Sequence, residues 1–330
     1  MFKFYIIAMY FITHSLVIAT DSIHIEMGLP KLQYHEETYL IQRPQYWSNY
    51  SEKLGNPFWV SWNLNKQWFG DVERYSGNFM VDLLLPDGTK RVSHSDYTNS
   101  GYDRGHLVRS EERTATVVDN KSTFFMTNVI PQTPELNRNT WLDLERYLEK
   151  LCKDEDKELY IVAGAYYNEN PVYLKEKVAI PDSCFKIAVV LNKNEGIEDV
   201  NENTRIIAVM MPNNQDVKNH EWQSFTRTIR SIENSTKINF LTNLSENLQE
   251  ILENKTVSRV RNFNNSNSIQ VFPNPAHNII NVVGANSYRV YDVYGNLILS
   301  SNDSNLDITK LSSGLYLIRG EGASTFFIKQ

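Results

Sequence analysis

The sequence YDRGHLV at residues 102–108 is followed by FFMTNVIPQ at 124–132 and LNRNTWLDLE at 136–145. These segments gather what phosphodiester hydrolysis requires: an activator of water, a neutraliser of charge on the phosphorus oxygens, and a stabiliser of the leaving alkoxide. Histidine, with an ordinary pKa of about 6.5, accepts a proton near neutrality, which points to His106. Arg104 offers a planar fork matched to phosphate oxygens. A hard divalent cation held by oxygen ligands takes leaving-group charge. Magnesium keeps most of its waters, so one asparagine carbonyl, with a carboxylate steadying those waters, is enough. Gly105, between Arg104 and His106, allows either a close backbone approach or an unusual dihedral angle.

Outward from these segments, residues 31–255 mix strand and helix patterns. Residues 58–62 (FWVSW) and 79–85 read as strands, the second running into the turn signal Pro86-Asp87-Gly88. Apolar runs at 157–164, 185–191 and 205–211 are short enough for buried strands. Helices are expected over 139–151, where Trp141, Leu144, Leu148 and Leu151 mark one face, and over 222–232. Strands and helices alternate without a strict βαβ period, so the expected class is α+β. In a regular helix eight residues advance about 12 Å and end about 80° out of line. Asn137 and Glu145 therefore do not meet on one atom. Either Glu145 leans back toward the helix N-terminus and acts through water, or Asn137 lies in the turn before the helix, just after Pro134.

The same three segments resemble the DNA/RNA non-specific endonucleases of the ββα-metal class. Weaker similarity runs from 56 to 212, through Trp59-Val60-Ser61, the stretch at Phe79 and Ile180-Pro181-Asp182. The resemblance implies a mostly antiparallel sheet, with a site formed by a hairpin and the helix after it. It makes His106 the general base, Arg104 the stabiliser of a phosphorane-like transition state, and Asn137 the direct ligand of one hydrated magnesium ion, with manganese as the alternative. Glu145 would hold the ion's water, and Asn128 would organise the site. DNA and RNA are the implied substrates, cut with little regard for sequence because phosphate-centred chemistry reads no base edges. The implied products carry 5′-phosphate and 3′-hydroxyl ends.

One position departs from that pattern. Glu149 stands where some members carry an arginine one turn after the helix glutamate, and Arg146 or Arg138 are the candidates to replace it. Of the neighbours, Asp103 is expected to hydrogen-bond locally and shape its loop. Glu111 and Glu112 read as a solvated charge pair, Arg109 and Arg113 as candidate contacts to a nucleic-acid backbone, and His94 and His220 as structural.

Composition is that of an ordinary globular protein, 41% hydrophobic and 22% charged. The net charge of −6, from 33 basic and 39 acidic residues, argues mildly against a nucleic-acid partner, since basic patches usually supply the phosphate attraction. Local positive charge would suffice. At the N-terminus Lys3 precedes an apolar run over 4–19 that ends in Val17-Ile18-Ala19, the layout of a signal peptide at 1–19. A membrane anchor is the alternative, but the run falls short of the roughly 20 residues a span needs. Cys152 and Cys184 form one disulfide in an oxidising compartment, or stay two buried thiols; their spacing suits no zinc site.

Residues 256–267 read as a polar linker. Beyond it, strands at 279–283, 315–319 and 326–329 and a hairpin around Tyr294-Gly295-Asn296 make a small all-β sandwich over 268–330. The pieces FPNPAHNIINV, YRVYDVYGNLI, LDITKLSSGLYLIRG and FFIKQ resemble the type A C-terminal sorting domain of the type IX secretion system. This implies that machinery as a partner, passage through periplasm and outer membrane without stable membrane insertion, and a passenger released or held at the surface. A small carbohydrate-binding or adhesion sandwich is the alternative for the tail. For the whole chain the alternatives are a surface-binding protein on a nuclease-like scaffold, separated by a chelator test, and a phosphodiesterase of small substrates, excluded by internal cuts in a long polymer.

Overall fold

The computed structural model describes residues 22–255, 269–285, 287–320 and 324–330; the expected signal peptide at 1–19 and linker at 256–267 lie outside the described residues. Contacts divide the chain into two compact units, Met1–Val257 and Ser258–Gln330.

In the first unit β1 (Tyr39–Gln42), β2 (Trp47–Ser51) and β3 (Asn56–Leu64) follow one another as hairpins. A two-stranded ribbon, β4 (Asp103–His106) and β5 (Val129–Gln132), is separated in sequence by α1 (Val117–Ser122). Then come α2 (Trp141–Lys153), β6 (Lys157–Tyr166), β7 (Ser183–Asn192), β8 (Arg205–Pro212), α3 (Ile229–Thr236) and α4 (Glu246–Glu253). Six strands make one sheet in the order β8-β7-β6-β3-β2-β1, every pair antiparallel.

Side chains alternate across this sheet and so build two cores. On one face Val60, Trp62, Ile161 and Ala188 pack against Trp141, Leu144, Leu148 and Leu151 of α2. On the other, Trp59, Phe185 and Ile187 pack against Ile229 and Ile232 of α3 and against Phe240. Burial on both faces is why these strands read as unbroken apolar runs despite their antiparallel pairing. Cys152 on α2 and Cys184 on β7 are both buried free thiols.

Three expected elements are corrected. Residues 79–85 form no strand; Met80 alone bridges Phe125. The buried Asp82 carboxylate takes Arg43 Nη2 at 2.5 Å and the Leu84 amide at 2.9 Å, so a side chain replaces the ladder that a strand would need. The helix expected over 222–232 is split. A 3₁₀ turn, Trp222–Phe225, ends where Thr226 bridges Val209, and α3 starts afresh after Thr228, whose hydroxyl accepts from the Ser231 amide at 3.0 Å. The helix expected from Asn139 is preceded by a π-helical turn, Leu136–Thr140, and its α-helical part spans Trp141–Lys153.

The second unit holds β9 (Gln270–Phe272), β10 (Ile279–Val283), β11 (Tyr288–Tyr291), β12 (Leu297–Ser301), β13 (Asn305–Asp307), β14 (Gly314–Gly320) and β15 (Ser324–Lys329). They form two sheets, β9-β10-β13 and β12-β11-β14-β15. Inward-facing Ile280, Val282, Val290, Ile318 and Phe327 share one core, the alternation of an all-β sandwich. No helix among the described residues is long and apolar enough to cross a membrane.

Candidate active site

The ribbon β4–β5 is anchored on the α2 side of the sheet, where Leu107, Val108, Ile130 and Leu136 enter the same core as α2. Its register pairs Asp103 with Gln132, Arg104 with Pro131, Gly105 with Ile130 and His106 with Val129. Alternation along β4 puts Arg104 and His106 on one face, and Asp103 and Gly105 on the other. The glycine answers to a close approach. A Cβ there would lie 2.1 Å from Gln132 Oε1 and 2.6 Å from its Cγ, and Gln132 is fully buried.

The His106 ring lies between Phe79 and Phe124, each centroid 5.0 Å away. Nε2 is enclosed and has no hydrogen-bond partner among the described residues. No hydrogen bond reaches Nδ1 among the described residues, and it is not enclosed as Nε2 is. Burial, and next the positive charge of Arg74, push the imidazole pKa down to about 3, against the opposing pull of Glu111. The ring is therefore neutral at neutral pH, a proton acceptor.

Arg104 donates to the His94 carbonyl from Nη2 at 2.7 Å and Nε at 3.3 Å, and to Thr98 Oγ1 at 3.3 Å. It makes no carboxylate ion pair among the described residues, so its charge stays unneutralised beside an open cleft of about 470 Å³ that Asp103 and Arg138 also line. His94 is structural: besides taking Arg104 on its carbonyl, its Nδ1 accepts from the Phe79 amide at 3.3 Å.

Asn128 is fully buried. Its Oδ1 accepts from the Val108 amide at 2.9 Å, and its Nδ2 donates to the carbonyls of Val108 at 2.9 Å and Thr123 at 2.8 Å. Two of these bonds hold the backbone at Val108, just beyond His106, and the third ties it to Thr123.

Asn137 lies in the π-helical turn and donates from Nδ2 to Asp103 Oδ2 at 2.9 Å. Asp103 was expected to act locally. Instead it reaches across to residues 34 and 35 positions on, also taking Arg138 Nε at 2.8 Å and Nη2 at 2.6 Å. Burial raises the Asp103 pKa, but the hydrogen bonds from Arg138 and Asn137 outweigh it and hold the carboxyl below its ordinary range. The ribbon and the helix start are tied by this one anion. With its NH₂ turned to Asp103, Asn137 presents Oδ1 away from it, and no donor reaches that oxygen among the described residues.

Glu145 projects from the inner face of α2. Oε1 accepts from Lys186 Nζ at 3.2 Å, and Oε2 lies 3.8 Å from Arg109 Nε. Arg109 also pairs with Glu149 at 2.8 Å and Glu111 at 3.1 Å. The departure at Glu149 is thus matched by a partner, while Arg138 is engaged with Asp103. Asn137 and Glu145 do not touch. The neighbours at 112 and 113 are corrected: Glu112 is fully buried and accepts from Trp62 Nε1 at 3.0 Å, so it is no solvated charge. Arg113, also fully buried, donates to the carbonyls of Gln45 at 2.8 Å and Asn63 at 2.9 Å, out of reach of a phosphate. Sequence reading passed over Lys186, Arg74 and the two phenylalanines around His106. A lone lysine within the apolar run FKIAVVL is the signal that a buried charge waits for a partner.

Residues 27–247 match the family model described as DNA/RNA non-specific endonuclease, and 270–330 match that of a secretion system C-terminal sorting domain. A nuclease of Nostoc sp. (strain PCC 7120) is 42% identical over 239 residues, covering 71% of this chain and 86% of that protein. Human mitochondrial endonuclease G is 28% identical over 66% of this chain and 72% of its own length. A crystal structure of the EndoG/EndoGI complex superposes with a TM-score of 0.59 at 22% identity, over 73% of this chain and 100% of that one, which shows a shared fold. The chain therefore belongs to the DNA/RNA non-specific endonuclease family, a family of metal-dependent nucleases, and carries a type IX secretion sorting domain at its C-terminal end.

Proposed function

We propose that this chain is an exported endonuclease that cuts DNA and RNA internally with little regard for sequence, with His106 as general base. The observation that carries the reading is the pair on β4: a neutral imidazole whose Nδ1 takes no hydrogen bond, two residues from an arginine that makes no ion pair, both among the described residues. In this account Nδ1 takes the proton of the attacking water while Nε2 keeps its own, and the phenylalanines on either side hold the ring in place. Arg104, already oriented by the His94 carbonyl, places its remaining donors on the phosphoryl oxygens, where charge grows in the transition state. Asn128 fixes the backbone after His106.

The donor set fits a hard cation. Asn137 offers an oriented carbonyl oxygen that has no partner among the described residues, and Glu145 offers a carboxylate held by two cations; neither nitrogen nor sulfur is involved. Among the described residues no three His, Cys, Asp or Glu gather into a cage, which suits an ion that keeps most of its waters. Magnesium, or manganese in its place, supplies positive charge to the phosphate and the leaving oxygen when bound. Asn137 would be its direct protein ligand, Glu145 would hold the surrounding water, and Asp103 would keep the Asn137 amide in the right sense. Departure of the 3′ oxygen leaves a 5′-phosphate.

The test is incubation of the purified mature chain with circular plasmid and with RNA, with magnesium or chelator, beside His106→Ala. Nicking and fragmentation that need both metal and imidazole are expected, with ends that ligase joins without prior phosphorylation. Native-rate cleavage by the alanine variant would reject the base. Export follows from the tail, and deletion of residues 268–330 is expected to keep the protein in the cell.

A further inference from the structure

We propose that Lys186 is a positioning residue for this reaction: from the middle of β7 its ammonium fixes the Glu145 side chain of α2 in the place from which it serves the cation. The proposal rests on the reading of Glu145 given above.

Lys186 is 1% exposed, in a strand whose neighbours on the same face, Cys184, Ala188 and Val190, are core residues. Its one hydrogen-bond acceptor among the described residues is Glu145 Oε1, at 3.2 Å. Its other near contacts are aromatic faces, Trp141 at 4.5 Å and Trp62 at 5.4 Å. Nothing about the sheet asks for a charge here, because a buried ion pair often stabilises a fold no better than apolar residues of the same volume. A buried lysine whose one hydrogen-bond acceptor among the described residues is a carboxylate is explained by that carboxylate.

The carboxylate needs it. Glu145 has a side-chain exposure of 6%, and burial alone favours its neutral acid, which would be a poor partner for a cation's water shell. Burial prevails and raises the Glu145 pKa; Lys186 is the strongest influence in the other direction, with Arg109 second. Arg109 lies farther off, 3.8 Å from Oε2, and answers also to Glu111 and Glu149. A second buried acid, Glu112, feels the Lys186 charge but is pushed up to about 7 by burial, and among the described residues it makes no ion pair with Lys186. The lysine's hydrogen bond goes to the carboxyl on the helix that follows Asn137.

The experiment uses the full mature chain with Lys186→Met, Lys186→Arg, Glu145→Gln and the double variant Glu145→Gln/Lys186→Met. Free Mn²⁺ is followed by electron paramagnetic resonance in the substrate-free protein, and kcat and KM are measured on DNA. Lys186→Met is expected to weaken Mn²⁺ binding and lower kcat by about tenfold or more, the scale of an outer-shell loss, with KM within about twofold. Lys186→Arg should recover part of both. In the Glu145→Gln background the methionine should change neither. Native Mn²⁺ binding and kcat in Lys186→Met, beside an impaired Glu145→Gln, would overturn this proposal alone; so would an equal further loss in the double variant. If Lys186→Met fails to fold, the comparison of Glu145→Gln with the double variant, which leaves no unpaired buried charge, decides. A fully active Glu145→Gln would remove the reading of Glu145 and this proposal with it.

Discussion

Replacing Gly105 by alanine puts a methyl group where the ribbon has no room. The new carbon would sit 2.1 Å from Gln132 Oε1, 2.5 Å from Cδ and 2.6 Å from Cγ. Gln132 is fully buried on the paired strand, and the overlap reaches back to its Cγ, so either the whole side chain repacks inside the core or β4 moves away from β5. Overpacking of this kind costs about 1–3 kcal/mol. For a domain of this size each kcal/mol is worth roughly 2–4 °C in Tm, a drop of about 2–12 °C in all. The loss of activity should be larger in proportion, because Arg104 and His106 flank the displaced residue and a shift of about 1 Å at a reacting group costs on the order of a hundredfold. Thermal melting and plasmid nicking measure the two effects separately. Gln132→Ala in the same chain opens the space and should return most of the activity. A Gly105→Ala protein with native Tm and native nicking would refute the reasoning.

Three further outcomes are expected. Asp103→Asn would turn one donor group toward Asn137 and Arg138, which now donate to the carboxylate at 2.6–2.9 Å; the magnesium concentration for half-maximal activity should rise by about tenfold, and an unchanged requirement would count against Asp103 as the orienter. His106→Ala should lower kcat by about 10²–10⁴, the range of a lost general base, with metal binding in the substrate-free protein intact. His24, 4% exposed, donates from Nε2 to the Pro44 carbonyl at 2.7 Å and accepts from the Asn63 amide on Nδ1 at 3.1 Å. Burial lowers its pKa from 6.5 to about 4, with Arg113 adding to the shift. The unfolded chain binds that proton below about pH 6.5 and the folded one only below about pH 4, so the stability is whole above 6.5 and is lost as pH falls toward 4. The loss is about 3 kcal/mol at most. Denaturant titrations of native and His24→Gln protein from pH 7 to 4 should therefore converge, and a constant gap would exclude the histidine as the cause.

Much of the fold was legible because burial on both sheet faces wrote itself as apolar runs at 157–164, 185–191 and 205–211, and because α2 shows its inner face at Trp141, Leu144, Leu148 and Leu151. Residues 79–85 misled because their alternation serves loop packing: Phe79 covers the His106 ring, and Asp82 binds Arg43. No local pattern announces a π-helical turn, which depends on a register slip as the chain leaves β5 for α2. At the site, residue types pointed to Arg104 and His106, whose chemistry is carried by the side chains themselves, and the family resemblance pointed to Asn137. What stayed hidden were relations across the chain. Asp103 finds its partners 34 and 35 residues away, Glu112 and Arg113 look solvent-facing until the sheet closes over them, and Lys186 gains its meaning only when β7 is laid beneath α2.

The most direct test is a crystal structure of the His106→Ala protein with magnesium and a duplex oligonucleotide. A cation is expected at about 2.1 Å from Asn137 Oδ1, on the far side of a phosphate from the vacated imidazole position, with Arg104 on the phosphate oxygens. A cation bound elsewhere, or a phosphate that cannot lie between positions 106 and 137, would contradict the mechanism.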